Sequence, residues 1–344
     1  MDMRRLFAVL LAALLLTGLF TGCKTDRGAA QTEAPSGTRE TAASDEPTEP
    51  VDEPVDDGVH PMLFHVTGPD GQECWLFGTI HAGDERMDTA MEKLTPYLDG
   101  CTALAVEFDL VAYEADMDSQ MAMMWSFLAL DGVTAERLMG PELYARSCDL
   151  LREAGVSPEA MQYFNLAWWA QLMSEAALMT RSELDYETGM DRRLINYCYE
   201  RQIEVRDVES PELQYGLLLS FSDELNLLLI EQTLDGLDTY GEELNELYEA
   251  WLKGDYDELT ALVAGEDDAE EYTPEQLALL EDYNDKMLTR RNLGMRDKAV
   301  EWLEAGDKVF FAVGAAHLVG EGGLVELLRA AGYTVEQTDY RSAP

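Results

Sequence analysis

Two histidines in this chain follow a glycine by three residues, and each pair comes directly after an apolar run. The first is Trp75-Leu76-Phe77-Gly78-Thr79-Ile80-His81, and the second is Val309-Phe310-Phe311-Ala312-Val313-Gly314-Ala315-Ala316-His317. Short runs rich in β-branched and aromatic residues predict buried strands. A glycine at the exit permits the positive φ or close backbone approach that a tight turn can demand. A histidine placed there lies beyond the carboxyl end of a strand, where open α/β sheets hold ligands. A third expected strand, residues 102–110, carries Glu107 and Asp109 near its end. Carboxylates buried there without a partner are costly, and a cation would hold them. His81, His317 and Glu107 together make a donor set suited to zinc, manganese, iron or cobalt. Three protein ligands with one open position is what metal-assisted hydrolysis requires. Against this, a turn histidine is commonly a hydrogen-bonded cap, and one Gly-x-x-His alone is a weak signal. Repetition of the whole context is what points to a shared site. The chain contains no His-Glu-x-x-His, which excludes the helical zinc-protease arrangement. The other two histidines, His60 and His65, read as structural or exposed.

Positioning His81 beside His317 requires strands from both ends of the chain to pair. Residues 62–66 and 74–77, joined by Gly68-Pro69-Asp70-Gly71, predict a β-hairpin. Between the chain ends the pattern is helical, over 117–130, 141–154, 159–181, 191–201, 212–234, 241–253, 255–264 and 274–305, with a short strand at 203–205. Met and Trp stripes at helical spacing, Trp168 and Trp169 among them, read as packing rather than as a cofactor groove. The expected fold class is therefore α+β. A central mixed β-sheet is built from the N- and C-terminal segments, with a large helical insertion over about residues 111–305 of a single domain spanning 59–340.

Residues 1–22 predict a signal sequence: Arg4 and Arg5, an apolar run from Leu6 to Leu19, then Phe20-Thr21-Gly22 before Cys23. The run is short for a membrane span. A cysteine after Thr-Gly resembles a lipobox, which makes Cys23 a lipidation site and places the protein outside the cytoplasm, membrane-anchored through the lipid only. Residues 23–58 are acidic and rich in Pro, Thr and Ser, the composition of a disordered tether. With 68 acidic against 24 basic residues the formal charge is −44. A phosphate backbone would be repelled, so nucleic acid is excluded as a partner. Cys74, Cys101, Cys148 and Cys198 lack Cys-x-x-Cys spacing and do not suggest a zinc–thiolate site. They allow two disulfides in three connectivities, among which the sequence does not choose.

The quoted stretches resemble the TraB/GumN family, which also includes the Tiki proteins. The resemblance runs through Trp75–His81, Ala105–Asp109, Met190-Asp191-Arg192-Arg193-Leu194 and Val208-Glu209-Ser210. It continues in Arg290-Arg291-Asn292-x-x-Met295, Ala312–Leu324 and Gly332-Tyr333-Thr334-Val335, covering about residues 62–338. It implies an α+β fold in which both Gly-x-x-His motifs and the Glu converge. In the Tiki branch that arrangement belongs to a divalent-metal-dependent protease acting on secreted proteins. Carried over, it implies that His81, His317 and Glu107 hold the metal (Mn, Co or Zn), with Glu107 also a candidate proton carrier. Arg291 and Asn292 then face the site, with Arg291 polarising a scissile carbonyl, holding a substrate carboxylate, or pairing with an acidic neighbour. Asp191 is read as a helix N-cap in preference to a catalyst, and is also a candidate for support of the site. Glu321 is either support for His317 or loop surface, and Asp109 a further candidate for support. The functional expectation is a surface-anchored metal-dependent hydrolase, a peptidase acting on a secreted peptide or protein. The alternative that the resemblance implies is a non-catalytic lipoprotein sequestering a peptide pheromone or a haem-type ligand.

Overall fold

The computed structural model describes residues 56–265 and 272–340. The expected signal sequence, Cys23 and nearly all of the tether lie outside the described residues. The strands are β1 Leu63–Thr67, β2 Glu73–Thr79, β3 Ala103–Val106, β4 Glu204–Asp207, β5 Val309–Gly314 and β6 Thr334–Gln337. The helices, in chain order, are α1 Arg86–Leu98, α2 Leu110–Ala115, α3 Met117–Ser126, α4 Ala135–Glu153, α5 Pro158–Met161, α6 Leu166–Arg181 and α7 Met190–Arg201. They continue with α8 Pro211–Leu219, α9 Asp223–Asp235, α10 Tyr240–Lys253, α11 Tyr256–Ala264, α12 Pro274–Asn284, α13 Arg290–Ala305 and α14 Leu324–Ala330.

The fold is α+β, with one six-stranded mixed sheet in the order β4-β3-β5-β2-β1-β6. Strands β4, β3, β5 and β2 run parallel, and β1 joins antiparallel to both β2 and β6. Every residue of β3 and of β5 is buried, as expected of parallel strands covered on both faces. The register is what matters for the site. Thr79 pairs with Gly314 and Gly78 with Val313, so both Gly-x-x-His motifs leave the sheet side by side at one edge. Val106 pairs with Ala312 on one side and Asp207 on the other, which brings the residues after β3 and β4 to that same edge.

Several helices differ from the expected spans, each for a local reason. The run expected at 159–181 is broken because the Asn165 side chain accepts from the Trp168 N–H at 3.1 Å and starts α6 afresh. Ser222 does the same for α9, dividing the expected helix at 212–234. The expected 274–305 helix is helical throughout but passes through a five-residue π turn, Asp285–Thr289, just before Arg291. The third strand stops at Val106 instead of continuing to Leu110, because Asp109 caps α2 by accepting from the Ala112 N–H at 2.9 Å. All four described cysteines are thiols, and Cys74, Cys148 and Cys198 are buried. Burial pushes the Cys74 thiol up to about 12, which suits a small apolar filler rather than a nucleophile.

Candidate functional site

The carboxyl ends of the four parallel strands deliver His81, His317, Glu107 and Glu209 to one place. Gly314 sits at its centre. A Cβ added there would lie 3.2 Å from Glu107 Oε1, 3.6 Å from His317 Cδ2 and 3.9 Å from His81 Nε2. A methyl group would therefore fill the space between the two rings and the carboxylate.

The orientation of His317 follows from its neighbours. The Asn292 amide donates to Gly322 O at 2.9 Å, which turns Asn292 Oδ1 toward His317 Nδ1 at 2.6 Å. An amide oxygen can only accept, so Nδ1 carries the hydrogen and Nε2 keeps its lone pair. His317 is 1% exposed. Burial first, then the nearby Arg291 guanidinium, drive its pKa down to about 3 against the pull of Glu107, so the ring is neutral at physiological pH. Its Nε2 lies 3.7 Å from Glu107 Oε1. His81 is held the same way from the other strand, with Nδ1 2.8 Å from Asp191 Oδ2. Burial disfavours the charged His81 ring, but Asp191 and then Glu107 outweigh it and raise its pKa. Neither His81 Nε2 nor His317 Nε2 has a hydrogen-bond partner.

Glu107 accepts hydrogen bonds from three different residues. Its Oε1 accepts from the Gly314 N–H at 2.9 Å, and its Oε2 accepts from Gln214 at 2.9 Å and Arg291 at 2.5 Å. Burial alone would raise its pKa, but Arg291, the two histidines and the Gly314 N–H hold it down at about 2. Arg291 is 4% exposed and also donates to Glu209, at 2.8 to 3.1 Å, and to the Met287 carbonyl at 3.3 Å. Its ion pairs with both glutamates match the acidic-neighbour reading among the alternatives for this residue. The π turn precedes Arg291 and Asn292, and both of these consecutive residues are buried toward the site.

The other expected residues fall as follows. Asp191 lies in the first turn of α7 but does not cap it; Gly189 is the N-cap, and Asp191 faces His81 instead. Asp109 is the cap of α2 and also accepts from the Tyr199 hydroxyl, away from the histidines. Glu321 is exposed, and the backbone carbonyl of Gly322 meets Asn292 in its place. Sequence reasoning assigned no role to Glu209 or Gln214. Gln214 is fully buried and its amide donates to both Glu107 and Glu209, at 2.9 and 3.0 Å. The available signal was a repetition: Val106-Glu107 and Val208-Glu209 each place a glutamate at a strand exit, and the Glu209 N–H donates to Glu107 O at 2.8 Å.

Gly189 makes the approach of α7 to the His81 turn possible. A Cβ at Gly189 would stand 2.2 Å from His81 O, and the Met190 N–H donates to Ile80 O at 2.9 Å. Gly189→Ala should therefore cost about 1–3 kcal/mol in a urea melt. It should also weaken whatever His81 binds, because the turn itself must move. Wild-type stability in that variant would show that α7 is not seated as described.

Two small cavities meet at His81, each with about 60 Å³ of internal room. One is bordered by Glu107, Phe108, Leu110, Tyr113, Tyr186 and Asp191. The other is apolar, walled by Leu178, Leu244, Leu247 and Trp251 from the helical insertion, with His81 and His317 at its floor. Room of this size takes a side chain or a few waters.

The donor chemistry fits a divalent cation. Two buried imidazole Nε2 atoms without partners face a carboxylate that stays ionised, and two glutamates outnumber one guanidinium. Ligand atoms on one zinc stand about 3.3 Å apart, which the 3.7 Å between His317 and Glu107 approaches. Among the described residues, the three ligand atoms do not all lie within 4.8 Å of one another. His81 is the group that stands off, with its far side 2.8 Å from Asp191 Oδ2, and closing on a cation requires its ring to shift.

The protein named YbaP, described as uncharacterized, is similar to this chain in both Shigella flexneri and Escherichia coli (strain K12). Each is 27% identical over 264 residues, covering 77% of this chain and 90% of the relative. No solved structure matches the chain. Residues 62–337, which include every strand and all the side chains of the site, match the TraB/PrgY/gumN family, and the chain belongs to it.

Proposed function

We propose that this chain is an extracytoplasmic, lipid-tethered metal-dependent hydrolase acting on a secreted peptide or protein, with His81, His317 and Glu107 holding one divalent ion (Mn, Co or Zn). The observation that carries this reading is the pair of buried, unpartnered Nε2 atoms beside Gly314 and an ionised glutamate. Lipid tethering rests on residues 4–23 alone.

When bound, such an ion supplies Lewis acidity toward an amide carbonyl and toward water. The chain's own residues do the rest. Asn292 and Asp191 orient the two imidazoles from behind. Glu107, with its pKa near 2, is a poor base at neutral pH and a durable anionic ligand, so its place is beside the cation and not on the moving proton. Arg291 keeps Glu107 ionised rather than touching substrate. The apolar cavity can seat an aliphatic side chain of the substrate next to the reacting bond.

The test uses the chain from Lys24 onward, purified without chelator. Bound metal is measured by mass spectrometry, and cleavage of a mixed peptide library is followed with added Mn²⁺, Co²⁺ or Zn²⁺. Near one ion per chain, with cleavage that a chelator stops, is the expected result. A folded protein that neither retains nor responds to any of the three ions would overturn it, and tight peptide binding without turnover would favour sequestration.

A further inference from the structure

Helix α3 carries an apolar face that the fold leaves open. Met117, Met121 and Trp125 are 70%, 46% and 59% exposed, while Met123 and Met124 pack inward against the core. Four-residue spacing puts the three exposed side chains on one side of a helix, in a stripe about 12 Å long. Leu130, 87% exposed, and Tyr163, 55% exposed, lie just past the helix end. The Ala129 N–H donates to Tyr163 O at 2.7 Å, which holds these two loops together. Exposed apolar residues scattered singly need no explanation, but a contiguous set of this kind marks an interaction surface. Methionine-rich surfaces adapt to varied apolar partners.

Charge selects the partner. No Lys or Arg occurs between Lys93 and Arg137, and Asp116, Asp118 and Asp131 along this segment are all exposed. A second copy would bring an equally acidic rim against this one, and an anionic bilayer would be repelled in the same way. A segment with apolar residues on one side and Lys or Arg on the other satisfies both stripe and rim. The placement is also suggestive. Asp116 is at once the end of α2 and the cap of α3, and α2 lends Leu110 and Tyr113 to the cavity beside His81. The Gln120 amide, bonded to Tyr113 O and Glu114 O, ties the two helices together.

We infer that the Met117–Met121–Trp125 stripe docks cationic, amphipathic peptide segments at the approach to the histidine site. The docking step concerns binding alone and stands whether or not the site turns a peptide over.

The probe is a fluorescein-labelled peptide of Leu and Lys in helical alternation, compared with the same peptide carrying Glu in place of Lys. Affinities are read by anisotropy at low salt with the chain from Lys24 onward, which holds every described residue. Wild type should bind the Lys peptide at least about tenfold tighter than the Glu peptide. The variant combining Met117→Ser, Met121→Ser and Trp125→Ser should lose about tenfold or more for the Lys peptide. Its charge is unchanged and the replaced side chains are exposed, so its unfolding midpoint should match wild type. Equal affinity for the two peptides overturns the proposal, as does unchanged binding by the triple variant. Light scattering that shows a wild-type dimer dissolved by the three substitutions would assign the stripe to a second copy. Binding to zwitterionic vesicles lost in the same variant would assign it to a membrane. Either result overturns the peptide assignment.

Discussion

Replacing Arg291 with leucine should lower the stability of the folded chain by about 3–5 kcal/mol at pH 7, a large part of what holds a domain together. The guanidinium bridges Glu107 and Glu209, whose side chains are 9% and 8% exposed, and is itself 3% exposed. Removing it leaves two carboxylates sharing the Gln214 amide with no countercharge. The loss should depend on pH. Glu107 has a folded pKa of about 2, below its unfolded value. Its contribution is therefore present above about pH 4.5 and is lost as pH falls toward 2. His317, with a folded pKa of about 3, stays neutral where the unfolded chain takes up a proton, so its burial also costs stability as pH falls below about 6.5. His81 runs the other way: its raised pKa gives stability at low pH that fades as pH rises through the folded value. Arg291 depresses both Glu107 and His317, so without it both pKa values rise and the acid penalty shrinks. The gap between wild type and Arg291→Leu, measured by urea unfolding, should be widest near pH 7 and narrow steadily toward pH 4. A gap under about 1 kcal/mol at pH 7, or one that ignores pH, would show that the three groups do not act as one network.

The sheet edge was legible because its signals are local. The runs at 75–77 and 309–313 are too apolar and too β-branched or aromatic to be anything but buried strand, and identical Gly-x-x-His exits on parallel neighbours must emerge together. Helix breaks were less legible. Asn165 and Ser222 interrupt apolar periods that continue on either side, so only the side-chain caps reveal them. Two partners behind the site were hidden for a different reason. Glu209 and Gln214 come from the exit of β4 and from α8, and nothing around Gln214 says which face of its helix turns inward. The π turn before Arg291 has no sequence signature of its own that periodicity could detect. Asp191 had two readings for the same reason, a cap or support for the site. Two residues after a glycine it has the look of a cap, and only the tight Gly189–His81 contact shows that the first turn of α7 faces the histidine.

His317→Ala should abolish metal retention, while Asn292→Ala should weaken it by about 10- to 100-fold. The difference is instructive. Alanine at 317 removes one of two imidazole lone pairs, whereas alanine at 292 leaves the ring but frees its Nδ1, so the favoured tautomer and angle are lost. Both variants should stay folded: truncating His317 strands only the Asn292 oxygen, and truncating Asn292 strands only the His317 Nδ1–H and the Gly322 carbonyl. The pH dependence then separates the roles of the two histidines. His317 is already neutral over the working range and adds no acid limb. His81 must give up a proton that Asp191 helps it to keep, so affinity should climb as pH rises through its raised pKa. Asp191→Asn weakens that hold: the midpoint should move to lower pH while the plateau affinity falls, because the ring is less firmly oriented and less basic. A midpoint moved to lower pH together with a lower plateau cannot arise from simple loss of folding. Calorimetric titration with Mn²⁺ or Zn²⁺ from pH 5.5 to 8.5 reads both. If Asp191→Asn left the midpoint in place, or if His317→Ala still held one ion per chain, the cation would have to lie elsewhere than between the two strand exits.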